Sequence, residues 1–184
     1  MATYTVYLFT TLDGFGTGRV AYWGKEGPEL VERHSRIFFA GEGETLVFGA
    51  NTYRMMELFA AERGRDPNFE SLGARRKIVI SRTLKEPLAM ENSTLITEDA
   101  LDAVPRLKAE SPVPLRSHGS ISMNRALLAA GLVDRLEVMI FPVITGASGE
   151  RPILAGLPEI DLELVDSRLF DGRVQQLVYV PTVL

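Results

Sequence analysis

Apolar and polar positions along this chain follow two periods that take turns. Runs of β-branched and aromatic residues recur at 3–10 (TYTVYLFT), 45–49 (TLVFG), 76–81 (RKIVIS), 93–96 (STLI), 113–117, 133–141 (VDRLEVMIF), 161–168 and 173–180. Each is bounded by Gly, Pro, Asn or Asp, and each predicts a strand. Helical spacing predicts helices over 28–39, 51–61, 98–109 and 120–130. Pro28 suits a first helical turn, Asn51 and Ser120 suit N-caps, and Gly131 suits the position just past a helix end. Pro105 is expected to kink or shorten the third helix.

Up to residue 131 the strands alternate with helices of about 11 residues, which implies right-handed crossovers and a mostly parallel sheet. Beyond it no helix separates the last three strands, and Phe-Asp-Gly-Arg (170–173) carries a two-residue hairpin signal. The expectation is one α/β domain over 1–184, its parallel sheet finished by an antiparallel C-terminal hairpin. The stretch 142–160, rich in Gly and Pro, reads as a long loop with a functional, interface or crossover role. The charged stretch 63–70 reads as a surface loop.

Composition narrows the class. The chain of 184 residues is 46% hydrophobic and 24% charged, the profile of an ordinary globular protein. A net charge of −4 argues against a nucleic-acid partner. No apolar run approaches a membrane span, and the N-terminus reads straight into a strand, so the expectation is a cytoplasmic protein without a membrane partner. Cysteine is absent, which excludes thiolate chemistry and suits a reducing compartment. Two histidines, His34 and His118, are too few for a His-rich metal site, and no metal is expected.

Three predicted strands end in similar chemistry. In Leu-Val-Phe-Gly-Ala-Asn-Thr-Tyr (46–53) a strand runs into Gly49 and then a helix, whose first N–H groups and dipole form an anion site. Packing at Gly49 and capping by Asn51 would explain the same letters. At 77–84, Ser81, Arg82 and Thr83 sit at a strand's carboxyl end, where ligands of open α/β sheets bind and where an Arg fork suits a phosphate. At 114–128, Gly119 and Ser120 supply a tight turn with free donors, and His118 could donate to a phosphate. Neither a dinucleotide Gly-rich fingerprint nor a Walker loop is present. The first strand ends in Thr-Thr-Leu-Asp-Gly (10–14): Asp-Gly turns the chain, and Asp13 is left facing the cleft.

Taken in this order, these segments resemble the dihydrofolate reductase-like fold. More closely they resemble the C-terminal reductase domain of the bifunctional riboflavin-biosynthesis deaminase/reductase. The resemblance rests on 10–14, Phe-Gly-Ala-Asn-Thr-Tyr-Arg-Met-Met (48–56), Lys-Ile-Val-Ile-Ser-Arg-Thr-Leu (77–84), 118–138 and 141–154, nearly the whole chain. Its most specific part is the Gly-Ser to Asp-Arg-Leu run followed by Pro-Val-Ile-Thr-Gly. The implied fold is a three-layer α/β/α sandwich. The implied cofactor is NADPH, with Gly49, Asn51 and Thr52 at its pyrophosphate and 2′-phosphate side. Ser81, Arg82 and Thr83 would border the adenosine end, and His118, Gly119, Ser120 and Ile121 the pyrophosphate. Thr11 and Asp13 would lie near the nicotinamide and substrate, with Trp23 as a pocket wall. Glu26, Glu29 and Glu32 are further candidate acids on or beside the first helix.

Two departures bear on what the resemblance implies. A basic residue often precedes the Thr-Tyr pair in that family, where this chain has Ala50 and Asn51, leaving Arg54 or Arg82 to meet a 2′-phosphate. The first strand reads Tyr7-Leu8-Phe9 where those reductases carry a Lys, and no deaminase motif is present. The implied function is NADPH-dependent reduction of a small heterocyclic or ribosylated substrate, as by 5-amino-6-(5-phosphoribosylamino)uracil reductase or dihydrofolate reductase. The alternative is a non-catalytic nucleotide-binding or interaction module on the same fold. A homodimer is expected, as in the family resembled, with 133–144 and 142–157 as its candidate surface and Ile140, Phe141, Val143 and Ile144 as candidate contacts.

Overall fold

The computed structural model describes residues 1–19, 26–37, 43–62 and 67–184. Among these, one large sheet organises the chain. In chain order its strands are β1 (Tyr4–Thr11), β3 (Thr45–Gly49), β4 (Lys77–Ile80), β5 (Ser93–Ile96), β6 (Leu115–Ser117), β7 (Arg135–Phe141), β9 (Ile160–Phe170) and β10 (Val174–Val183). A small pair, β2 (Phe15–Thr17) with β8 (Glu150–Pro152), stands apart. The spatial order is β5-β4-β3-β6-β1-β7-β10-β9. The first six strands of that order run parallel, whereas β10 lies antiparallel to both β7 and β9. This is the mixed, mostly parallel α/β/α architecture with a C-terminal hairpin that the periodicity and the resemblance together implied.

The helices are α1 (Pro28–Ser35), α2 (Ala50–Glu62), α3 (Pro67–Ala74), α4 (Ala100–Glu110) and α5 (Ile121–Ala129). Strand side chains alternate between two faces. One face carries Tyr4, Val6 and Leu8 of β1, Val47 of β3 and Ile78 of β4, packed with Val104 and Leu107 of α4 and Leu127 and Leu128 of α5. On the opposite face Tyr7, Met139 and Phe141 pack with Leu30 and Ile37, and Leu46, Phe48 and Val79 pack with Tyr53 and Leu72. No described helix is long and apolar enough to cross a membrane.

Several local expectations change. Residues 67–74, half of which read as charged loop, form α3. Asn51 lies inside α2, because that helix starts directly at Ala50 where β3 ends. Pro105 leaves α4 intact from Ala100 to Glu110. It sits on the exposed side of the helix, where the carbonyl it leaves unpaired can meet water. The 142–160 loop holds a short 3₁₀ turn (Gly146–Ser148) and β8, both too short to show a period. Of the residues expected at a dimer surface, Phe141 is buried, Ile140 and Val143 pack against the two core clusters, and Ile144 alone is exposed.

The Asp-Gly signal at 171–172 is realised with both residues at positive φ, 53° and 63°. Such a turn matches the twist of the flanking strands. Arg173 N–H closes it onto the Phe170 carbonyl, and the ladder resumes with Val174 opposite Phe170.

Candidate functional site

The segments flagged in the sequence meet along one edge. Because β4, β3, β6 and β1 are successive parallel neighbours, the residues that follow them (81–83, 50–52, 118–121 and 12–14) form a row at the sheet's carboxyl edge. Two of these loops touch through glycines. Gly49 N–H donates to the Gly119 carbonyl at 2.7 Å. A Cβ on Gly49 would stand 2.8 Å from the Ser120 nitrogen and 2.6 Å from its Oγ. A Cβ on Gly119, whose φ is +124°, would stand 2.6 Å from Thr52 Oγ1. Only glycine lets these backbones approach so closely.

Below that contact the loop is pinned. The Ser117 hydroxyl donates to Asn124 Oδ1 at 2.6 Å and accepts from Gly119 N–H at 3.3 Å, with both side chains buried. Ser120 is the N-cap of α5, yet its side chain makes no capping bond and no acidic residue lies in the first turn. At the start of α2, Gly49 has no side chain to offer, and the first turn is again free of acids. Two helix starts therefore stand side by side with their positive ends unneutralised by a carboxylate from their own first turns.

At the β4 end, Ser81 Oγ accepts from Thr83 N–H at 3.1 Å and from Leu84 N–H at 3.0 Å, so this hydroxyl builds its own turn. Arg54 Nη2 reaches across from α2 to Thr83 Oγ1 at 3.3 Å. Arg82 is largely exposed, with Nη1 3.9 Å from Asp99 Oδ2. Arg54 and Arg82 thus share this end of the edge.

Thr11 and Asp13 make a different kind of structure. Asp13 Oδ1 accepts from Thr11 Oγ1 at 2.6 Å. Its Oδ2 accepts from Thr145 N–H (3.0 Å), Thr145 Oγ1 (3.0 Å) and Gly146 N–H (2.8 Å). The Thr11 hydroxyl and then these loop donors hold the carboxyl well below the usual carboxylate range. Asp13 ties the β1 turn to the loop after β7. Trp23, expected to wall the pocket, lies outside the described residues. Among the acids considered for catalysis, Glu29 Oε2 accepts from Asp171 N–H at 2.7 Å and Glu32 pairs with Arg36 at 2.8 Å. Both line a groove between α1 and the end of β9.

His118 departs from its expected surroundings. Its ring lies edge-on to Tyr7 at 5.2 Å and 6.4 Å from Phe48, turned toward the α1 side of the sheet. His34 of α1 meets the same group, 5.1 Å from Phe9 and 6.3 Å from Tyr7. Burial, then the charge of Arg33, pulls His34 down to about 4; burial, then Arg116, pushes His118 well below the normal range. Both imidazoles are neutral at pH 7.

Behind these rings is a buried ionic cluster that sequence reasoning missed. Arg116 of β6 forks between Glu44 and Glu137 (3.0 and 3.1 Å to the latter), and Gln176 donates to Glu137 at 3.0 Å. The guanidinium stands 5.7 Å from the Tyr7 ring centroid. Burial alone would lower the Arg116 pKa, but the two carboxylates outweigh it and raise it. Its signal lay in the charged letters inside apolar strands, Arg116 in Pro-Leu-Arg-Ser and Glu137 in Arg-Leu-Glu-Val-Met-Ile-Phe. Such residues need buried partners. Among the described residues no group of three His, Asp or Glu converges as a metal site would require.

The sequence profile of the RibD C-terminal domain matches residues 3–176. No curated protein matches by sequence. A putative riboflavin biosynthesis protein from Shewanella sp. PV-4 superposes with a TM-score of 0.72 at 20% identity, over 98% of this chain and 99% of that one. A pyrimidine reductase-like protein from Corynebacterium diphtheriae gives 0.68 at 16% identity, over 98% and 92%. Acinetobacter baumannii RibD gives 0.66 at 15% identity, covering 99% of this chain but 58% of the larger one.

Proposed function

The chain belongs to the RibD C-terminal domain family, and on that premise we propose that it is an NADPH-dependent reductase of a small heterocyclic or ribosylated substrate. The observation that carries the reading is the pair of adjacent helix starts joined through Gly49 and Gly119. Backbone N–H groups aimed outward from two helix ends, with no carboxylate in either first turn, fit a pyrophosphate. The residues present thus fit the dinucleotide. Gly119, Ser120 and Ile121 would hold the pyrophosphate, aided by Asn51 and Thr52. Arg54, Arg82 and Thr83 would take the 2′-phosphate end, the two guanidiniums standing in for the basic residue missing at Ala50 and Asn51.

A dinucleotide held there would supply the hydride. The chain's own part is to orient and to exclude water. Thr11 and Asp13, whose turn is clamped to Thr145 and Gly146, would lie beside the reacting end. Phe9 and His34, partly exposed on the α1 side of the sheet beside the buried ring of Tyr7, would offer an aromatic face to a planar substrate. A small-molecule substrate is therefore the partner proposed for this edge.

One observation favours the second reading, a non-catalytic nucleotide-binding module: Asp13, Glu29 and Glu32 are all engaged by other groups of the chain. Calorimetric titration with NADPH, followed by turnover assays on reducible pterins, pyrimidines and carbonyl compounds, separates the cases. Micromolar binding with turnover is expected. Binding without turnover on any of them selects the module, and no binding at millimolar NADPH overturns both.

A further inference from the structure

One polar ring interrupts the apolar stripe by which α1 meets the sheet. Leu30, His34 and Ile37 follow one another at helical spacing on the same face. Leu30 and Ile37 are fully buried with Tyr7, Met139 and Phe141, whereas His34 between them stays partly exposed. Its ring stands edge-on to Phe9 at 5.1 Å. Phe9 and Thr11 lie on one face of β1, about 7 Å apart along the strand, so a single heterocycle bridges His34 and the turn assigned to the reacting end. The stripe is anchored on both sides of the ring. Asp171 accepts from Glu29 and Leu30 N–H at one end, and Arg75 donates to the Ile37 carbonyl at the other. The acids of the region hold other groups: Asp13 holds Thr145 and Gly146, Glu29 the Asp171 N–H, Glu32 Arg36, and Glu44 and Glu137 hold Arg116. The titratable and charged neighbours of the ring are Arg33 on α1, Tyr7 on β1 and His118 after β6, with Arg75 and the neutralised Arg116 beyond.

We propose that His34 is a further catalytic residue, whose imidazole donates a hydrogen bond to the heteroatom of the substrate's C=N or C=O group and so draws electrons from the carbon that receives hydride. The inference rests on the reductase reading above. In the balanced step that carbon gains a C–H bond by hydride from the nicotinamide dinucleotide, which is oxidised. The π-electron pair of the C=N or C=O bond moves onto the heteroatom, and water supplies the proton that completes its N–H or O–H bond. His34 keeps its own proton throughout. A fixed N–H aimed where negative charge develops stabilises the transition state without reorganising. The uncharged form suits this place, because an imidazolium would stand half-buried beside Arg33. Burial, then Arg33, holds the ring neutral at pH 7, and a neutral imidazole with a lowered pKa can serve as such an electrophile.

Nuclear magnetic resonance of protein carrying isotope-labelled histidine, saturated with NADP+, tests this without turnover. The His34 signals are assigned by their loss in His34→Phe, which keeps a ring in the stripe. Uracil or pterin at millimolar concentration is expected to shift those signals, with the imidazole uncharged at pH 7 before and after. The same heterocycle should bind about 10-fold more weakly to His34→Phe, with NADP+ affinity unchanged. His34→Gln, which retains a donor, should lose about 3-fold or less. With a substrate that turns over, His34→Phe should lower kcat about 100-fold, and wild-type kcat should stay level between about pH 6 and 8. His34 signals that neither heterocycle moves overturn the proposal, as does equal affinity of the wild type and His34→Phe. So does a kcat that His34→Phe leaves unchanged, or one that falls steadily over the same pH range, the mark of a protonated acid. Absence of NADPH binding to the wild type overturns the reductase reading and this proposal together. Normal NADPH binding with unmoved His34 signals overturns the proposal alone.

Discussion

Four helices begin at the same edge of the sheet, and they end their first turns in two different ways. At α4, Asp99 accepts from Leu101 N–H at 3.0 Å. At α1, Asp171 of the distant hairpin turn accepts from Glu29 N–H at 3.0 Å and Leu30 N–H at 3.1 Å, and Glu29 returns the contact. Each of these helix starts is closed by a carboxylate, which meets the orphan donors and the positive end of the dipole. At α2 and α5 the corresponding positions are Gly49 and a Ser120 whose hydroxyl does not cap. The difference separates stability from function. Where a helix end serves the fold, the chain supplies the anion. Where it faces the proposed groove, its own first turn supplies none, and under the proposed function a ligand's phosphate would.

The largest effect should come from erasing that difference. Ser120→Asp closes α5 in the manner of α4 and should weaken NADPH binding by about 100-fold or more, read by calorimetry, while holding or raising Tm. Unchanged affinity would break the comparison. Gly49→Ala puts a Cβ into the Ser120 backbone and should weaken NADPH about 10-fold, at a stability cost of about 1–3 kcal/mol. Arg54→Ala with Arg82→Ala should weaken NADPH by about 10-fold and leave NADH untouched, which competition titration resolves. Asp171→Ala, at a closed end, should cost about 1–2 kcal/mol in urea unfolding with NADPH affinity unchanged.

The smallest effect is one of pH. The imidazole of His34 has a folded pKa near 4 against an ordinary 6.5, so between these values the unfolded chain binds more protons. The contribution of His34 is full above about pH 6.5 and is lost as pH falls toward about 4. His118 acts in the same direction. His34→Asn should flatten the acid limb of a stability-against-pH curve, and an unchanged limb would show that the ring does not stay neutral in the folded state.

The strands were legible wherever a run of four or more residues carried a period, as in 45–49 and 93–96, whose bounds match β3 and β5. The three-residue strands β2 and β8 were not, because three residues cannot display an alternation. Asn51 was misplaced as a cap since a strand passing straight into a helix leaves no cap position between them. Within the candidate site, Gly49 and Gly119 were readable because glycine marks close backbone approach. The roles of the two Asp-Gly aspartates were not. Asp13 and Asp171 carry the same local turn signal, but their acceptors serve segments 132 and 142 residues away. Arg116 and Glu44, 72 residues apart, form their buried pair only once β6 and the start of β3 lie side by side.

Local chemistry along the chain, then, was enough to determine the order of strands and helices, the parallel sheet with its closing hairpin, and the three glycine- and serine-bearing strand ends. Those properties depend on residue period and backbone freedom, which act over a few positions. Tertiary packing alone decided that Asp171 closes α1, where the charges of Arg116 and Glu137 were neutralised, and which face of the hairpin was left uncovered. Each of these is a pairing across the fold, and its energy exists only when distant segments are brought within contact.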